Sequence, residues 1–174
     1  MNDTSNPLIQ KLPRLNHVDY QSIKDKFLAR VTPDMTAEDK NTLNEEYNKA
    51  CEKARQDIAK KTKEVAKLNV AAFLSNPAKV LEELEHERLQ GIDIGEMILM
   101  KGIADVTIKR HGKGTPCGVG SDYPYISSNF TVTATIGDKK LTTETTSAND
   151  QRSKDSIMAM VAQQLAFDIA AGRI

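Results

Sequence analysis

Asn129-Phe-Thr-Val-Thr-Ala-Thr-Ile136 alternates polar and apolar residues without a break. Phe130, Val132, Ala134 and Ile136 fall on one face, and Thr131, Thr133 and Thr135 on the other. A period of two marks a strand of an antiparallel sheet with one buried side. Downstream, Gly137-Asp138 puts glycine first in a tight hairpin turn. Lys140-Leu-Thr-Thr-Glu-Thr-Thr146 then continues as a further strand, with Leu141, Thr143 and Thr145 toward the core and Thr142, Glu144 and Thr146 away from it. Upstream, Asp105-Val-Thr-Ile-Lys-Arg110 is a short β-rich run. Ser153 to Ala171 has helical spacing, with Ile157, Met160, Val161, Leu165 and Ile169 on one side.

The segment before the first strand is also helical. Asn76 is an N-cap and Pro77 suits the first turn. Val80, Leu81, Leu84 and Leu89 form its apolar side, and Gly91 is the expected stop. Ile92 to Ile103 reads as a short helix or buried turn. The order α-β-β-β-α predicts an α+β fold: N-terminal helices, then a three-stranded antiparallel sheet covered on one face by helices. The other face stays bare, which suits docking better than enclosing a substrate.

The N-terminal half divides by its prolines. Residues 1–16, with Pro7 and Pro13, read as an extended arm whose Leu8, Ile9, Leu12 and Leu15 pin it to a partner or to the body. A first helix is expected from His17 to Val31, carrying Tyr20, Ile23, Phe27 and Leu28, and Pro33 breaks it. Thr36-Ala-Glu-Asp39 is a capping box with Asp in the usual Glu place. The long helix it opens has the stripe Leu43, Tyr47, Cys51, Ala54, Ile58, Val65, Leu68 and Ala72, at about 3.6 residues per turn. A dedicated coiled coil would hold 3.5. The expected regions are therefore an arm over 1–16, a helical region over 17–75 and an α-β-β-β-α domain over 76–174.

Composition narrows the functional classes. The chain has 174 residues, 39% of them apolar and none of them Trp. Lys plus Arg and Asp plus Glu are both 24, so no global charge draws it to nucleic acid or an anionic membrane. No apolar run approaches the ~20 residues that span a bilayer. The N-terminus lacks the pattern of a signal peptide, so a soluble, cytoplasmic protein is expected, with Cys51 and Cys117 as thiols.

The stretch Lys109-Arg-His-Gly-Lys-Gly-Thr-Pro-Cys-Gly-Val-Gly120 invites chemistry, but its glycines and lysine do not match a phosphate loop. It reads as a mobile hairpin loop. Cys117 with His111 lacks an orienting third group, which leaves a small hydrolase as the weakest reading. His17, His86 and His111 are scattered and have no metal-ligand spacing. No catalytic residue, metal or cofactor is expected, and the protein is read as a non-enzyme. What remains is a cluster of cations. Lys109, Arg110 and Lys113 are expected to meet Arg152 and Lys154, together with His111, Lys139 and Lys140, at one end of the sheet and to hold a phosphate backbone.

Residues 76–170 resemble a double-stranded-RNA-binding domain. Phe130-Thr-Val-Thr-Ala-Thr-Ile-Gly137 looks like the family's second strand, and Ser153-Lys154 like the opening of its Ser-Lys-Lys-x-Ala-Lys motif. Asp155 and Met158 stand in the motif's other lysine positions, and the family's Gly-Pro-x-His loop is absent. The resemblance implies a module that spans duplex-RNA grooves through helix and loop, or, without those lysines, one that binds a protein. The expectation is thus a non-enzymatic binding protein for nucleic acid or a protein partner. The alternative is a structural or assembly protein, for example of a viral particle, that forms a homo-oligomer through its helices.

Overall fold

Strand alternation decides the sheet. In the computed structural model β1 (Asp105–Cys117), β2 (Tyr125–Ile136) and β3 (Lys139–Ala148) form one antiparallel sheet in the order β1-β2-β3. The structure describes residues 7–88, 90–120, 122, 125–148 and 151–173, without the side chains of 125, 142–144, 146–148 and 151–153. Expectations placed on residues 1–6, on Leu89, on the side chains of Thr142, Thr143, Glu144 and Thr146, and on that of Arg152 lie outside the described residues.

Ile136 pairs with Lys139, so Gly137-Asp138 is the two-residue turn. Gly137 has φ +56°, in the left-handed region such a turn requires. A Cβ there would come within 2.6 Å of a Leu74 methyl, so space as well as φ favours glycine.

The chain also contains α1 (Tyr20–Leu28), α2 (Ala37–Ser75), α3 (Pro77–Glu87), α4 (Ile94–Met100) and α5 (Gln151–Ala170). It divides into two compact units, one of Met1–Gln10 with Ala66–Ile174 and one of Lys11–Val65. The division falls inside α2, not at its end.

The larger unit holds the main core. Phe130, Val132, Ala134 and Ile136 of β2 share one buried cluster with Ile157, Val161 and Leu165 of α5. Val80 and Leu84 of α3, Met97 and Ile98 of α4 and Phe73 of α2 belong to the same cluster. Thr131, Thr133 and Thr135 are half-buried, not exposed, because β2 is the central strand and its neighbours flank them on both sides. The crossing of α4 and α5 is close. A Cβ on Gly95 would lie 1.8 Å from the Ala162 carbonyl oxygen, so only glycine fits.

Of the expected arm, described residues 7–10 belong to this unit and residues 11–16 to the other. Ile9 is 1% exposed, the Leu8 and Ile9 amides donate to the Glu83 carboxylate (2.9 and 3.1 Å), and Asn69 brackets Gln10. In α2 the stripe runs through Asn69 and Phe73, both buried, while Leu68 is 57% exposed and lies off it. A polar residue hidden at a core position displaced the expected stripe.

The smaller unit is a helical hairpin with little core. Val18, Leu43 and Cys51 are its buried apolar side chains. The expected first helix is split. A 3₁₀ turn at Leu15–His17 precedes Asp19, whose carboxylate caps α1 by accepting the Ser22 amide at 2.9 Å. The capping box of α2 is reciprocal: Asp39 N–H donates to Thr36 Oγ1, and Thr36 N–H donates to Asp39, both at 3.1 Å. The Thr36 hydroxyl also holds the Asp39 carboxyl below its ordinary pKa.

Candidate docking site

The Lys109–Gly120 stretch is not a hairpin loop. β1 continues to Cys117 through a register shift between His111↔Asn129 and Thr115↔Ser127. Gly112, at φ +66°, and Gly114 absorb the extra residues as a bulge instead of ending the strand. Gly114 is held close, since a Cβ would lie 2.2 Å from Ile126 Cγ2 and 2.6 Å from Ser128 Oγ.

This register disperses the expected cation cluster. Lys109 lies opposite Thr131, on the face away from the core, whereas Arg110 lies opposite Phe130 on the core-facing side. Adjacent strand residues point to opposite faces, so these two side chains leave the sheet in opposite directions. Arg110 Nε donates to the Gly112 carbonyl at 3.3 Å, and the His111 ring bonds Thr131 Oγ1 at 2.5 Å. Lys113 sits in the bulge. Lys154 is exposed in the first turn of α5, which follows β3 from the end where Ala148 pairs with Ser127. Lys113 and Lys154 therefore share one sheet end, and Arg152 is in the same turn of α5.

Lys139 and Lys140 belong to the opposite end. Lys140 pairs with Thr135, which pairs with Asp105, four rows or about 13 Å from Lys109. There they line a cavity of about 280 Å³ with Arg173. Arg173 is already engaged: its Nε donates to Asp168 at 2.7 Å, and its guanidinium lies 4.7 Å from the Phe167 ring centroid. Asp168 is buried, and hydrogen bonds from Gln164 and then Arg173 lower its pKa against the opposing effect of burial.

His111 and Cys117 are six positions apart along β1, and the Cys117 thiol faces the Thr115 carbonyl at 3.6 Å. No nucleophile–base pair is assembled from them. Among the described residues no three His, Cys, Asp or Glu side chains converge as a metal site would require. None of the described helices is long and apolar enough to cross a membrane.

The site that sequence reasoning missed lies in the Lys11–Val65 unit. Phe27, Leu28 and Val31, at and beyond the end of α1, meet Leu43 and Tyr47 of α2 around an open cleft of about 340 Å³. Leu28 and Val31 are 55% and 47% exposed. The floor is ordered by a T-shaped Phe27–Tyr47 contact, 5.6 Å between centroids, and by Arg30 over Phe27 at 5.3 Å. Arg30 also pairs with Glu46 at 2.8 Å. The Cys51 thiol, hydrogen-bonded to the Tyr47 phenol, and then burial, hold that phenol above its ordinary pKa. Lys24, Lys40 and Asn44 form the rim. The sequence showed Phe27 and Leu28, and Leu43 and Tyr47, as members of two apolar helix stripes, but not the open cleft between them.

No family model matches the chain, and no curated protein or solved structure does so either.

Proposed function

We propose that this chain is a non-enzymatic binding protein that works by docking a protein partner through the α1–α2 unit. One observation carries the reading: the unit buries Val18, Leu43 and Cys51 and leaves Leu28 and Val31 exposed beside an apolar cleft. A two-helix hairpin with so small a core has little apolar burial to offset chain ordering. A partner that covers the cleft supplies what is missing. The mode is that of a helix laid into an apolar groove.

A second reading, nucleic-acid binding by the α-β-β-β-α region, is favoured by the shared sheet end of Lys113 and Lys154. Its weakness is the separation of Lys109 from Arg110 and of Lys139 and Lys140 from both. Titration of the full chain with duplex RNA in 50 mM salt distinguishes the two. The protein-docking reading expects no binding at tens of micromolar. Binding that falls with salt, with a log–log slope up to ~4 to 5, and that weakens in the Arg152→Gln/Lys154→Gln variant transfers the function to the cationic end.

A further inference from the structure

We infer that the occupant of the α1–α2 cleft is an amphipathic helix with carboxylates flanking its apolar face. The inference rests on the docking reading above and adds the chemistry of the partner.

The charge around the cleft is one-sided. Among the described residues no carboxylate lies within ion-pair distance of Lys24 or Lys40. No acid lines the cleft: Glu46 pairs with Arg30, Asp25 accepts from Gln21 Nε2 at 2.7 Å, Asp39 closes the α2 capping box, and Asp34, Glu38 and Glu45 lie outside the lining. An apolar floor thus has two unpaired ammonium groups on its rim. A helix with Leu-like residues at i, i+3, i+4 and i+7 and Glu or Asp beside them satisfies both features.

A second copy of this chain fits poorly. Pairing the cleft with its own copy by a two-fold axis gathers the unpaired lysines of both copies along one seam, and like charges there oppose association. Inserting another element of the chain fails for a different reason. The acidic helix α3 has its apolar residues Val80 and Leu84 wholly buried, and α5 buries Ile157, Val161 and Leu165. The one large apolar side chain that the described residues of these two helices expose, Phe167 of α5, lies under the Arg173 guanidinium.

The test uses two fluorescein-labelled 18-residue helical peptides with the same leucine face, one flanked by Glu and the other by Lys, titrated by anisotropy against the full chain. The Glu peptide is expected to bind about two- to thirtyfold more tightly than the Lys peptide, the range for two rim ion pairs. The K24E/K40E variant should reverse that order, and Leu28→Asp with Val31→Asp should abolish both interactions while the circular dichroism spectrum is retained. Both replaced residues are exposed, so the fold should tolerate the change.

Equal affinity for the two peptides, lost in the Leu28/Val31 variant, overturns the charge selection and leaves the docking reading standing. Binding indifferent to that variant, or no binding by either peptide, overturns both. A dimer in light scattering that dissociates on the same substitution also overturns the inference, because it assigns the cleft to a second copy.

Discussion

Replacing Asn69 by Ala removes a polar side chain that ties the N-terminal segment, α2 and the end of α4 together. Asn69 is 0% exposed. Its oxygen accepts the Gln10 amide at 2.9 Å, and its nitrogen donates to the carbonyls of Gln10 at 2.9 Å and Lys101 at 2.8 Å. Gln10 is exposed, so water replaces its lost partners and each of those bonds is worth about 1 kcal/mol or less. Lys101 is 6% exposed, and a carbonyl left unpaired there costs about 1–3 kcal/mol. The sum is about 1–5 kcal/mol, a fall in Tm of roughly 2–20 °C. With no Trp in the chain, the assay is urea unfolding followed by circular dichroism at the helical band. Amide exchange should also show protection lost first at Ile9 and Gln10. Asn69→Asp should be at least as harmful at neutral pH, because a carboxylate has no proton to give the two carbonyls. A loss below about 0.5 kcal/mol for Asn69→Ala would refute the reasoning.

Val132, 1% exposed in the central strand, should not tolerate Asp, since a buried unpaired charge costs about 3 kcal/mol or more; a V132D protein with an unchanged Tm would disprove the register. Asp168 has a lowered folded pKa, so its contribution is present above the ordinary carboxylate range and is lost as pH falls through the depressed value. Asp168→Asn should therefore flatten the acid limb of a stability-versus-pH curve, and an acid limb identical to that of the parent protein would count against the Gln164–Asp168–Arg173 cluster. A Cys51→Ser/Cys117→Ser variant should retain any binding found for the parent chain; loss of that binding, or rapid stoichiometric labelling of Cys117 at pH 6, would instead indicate a reactive thiol.

Period-two alternation in β2 was legible because it depends only on which residues fill one strand, and Phe130, Val132 and Ile136 are buried together with Val161 and Leu165. Caps were legible for the same local reason: Asn76, accepting the Lys79 amide at 3.2 Å, and the Thr36–Asp39 pair act within one turn. Features that need a partner elsewhere in the chain were not. The expected α2 stripe ran through Leu68, because nothing local shows that Asn69 is enclosed by Gln10 and Lys101. Gly112 and Gly114 read as a loop because a bulge needs β2 opposite it. The cation set looked contiguous in sequence, yet alternation along β1 and the direction of the hairpin divide it. The α1–α2 cleft was hidden because apolar residues at helical spacing do not tell whether a third helix covers them.

Amide exchange of the full chain tests the docking account most directly. In the free protein, Tyr20–Leu28 should exchange orders of magnitude faster than Phe130–Ile136, because α1 buries no side chain of its own. Saturating Glu-flanked peptide should then protect residues 24–31 and 40–47 and leave the sheet unchanged. Protection of α1 equal to that of β2 in the free chain, or no gain on adding peptide, would contradict it.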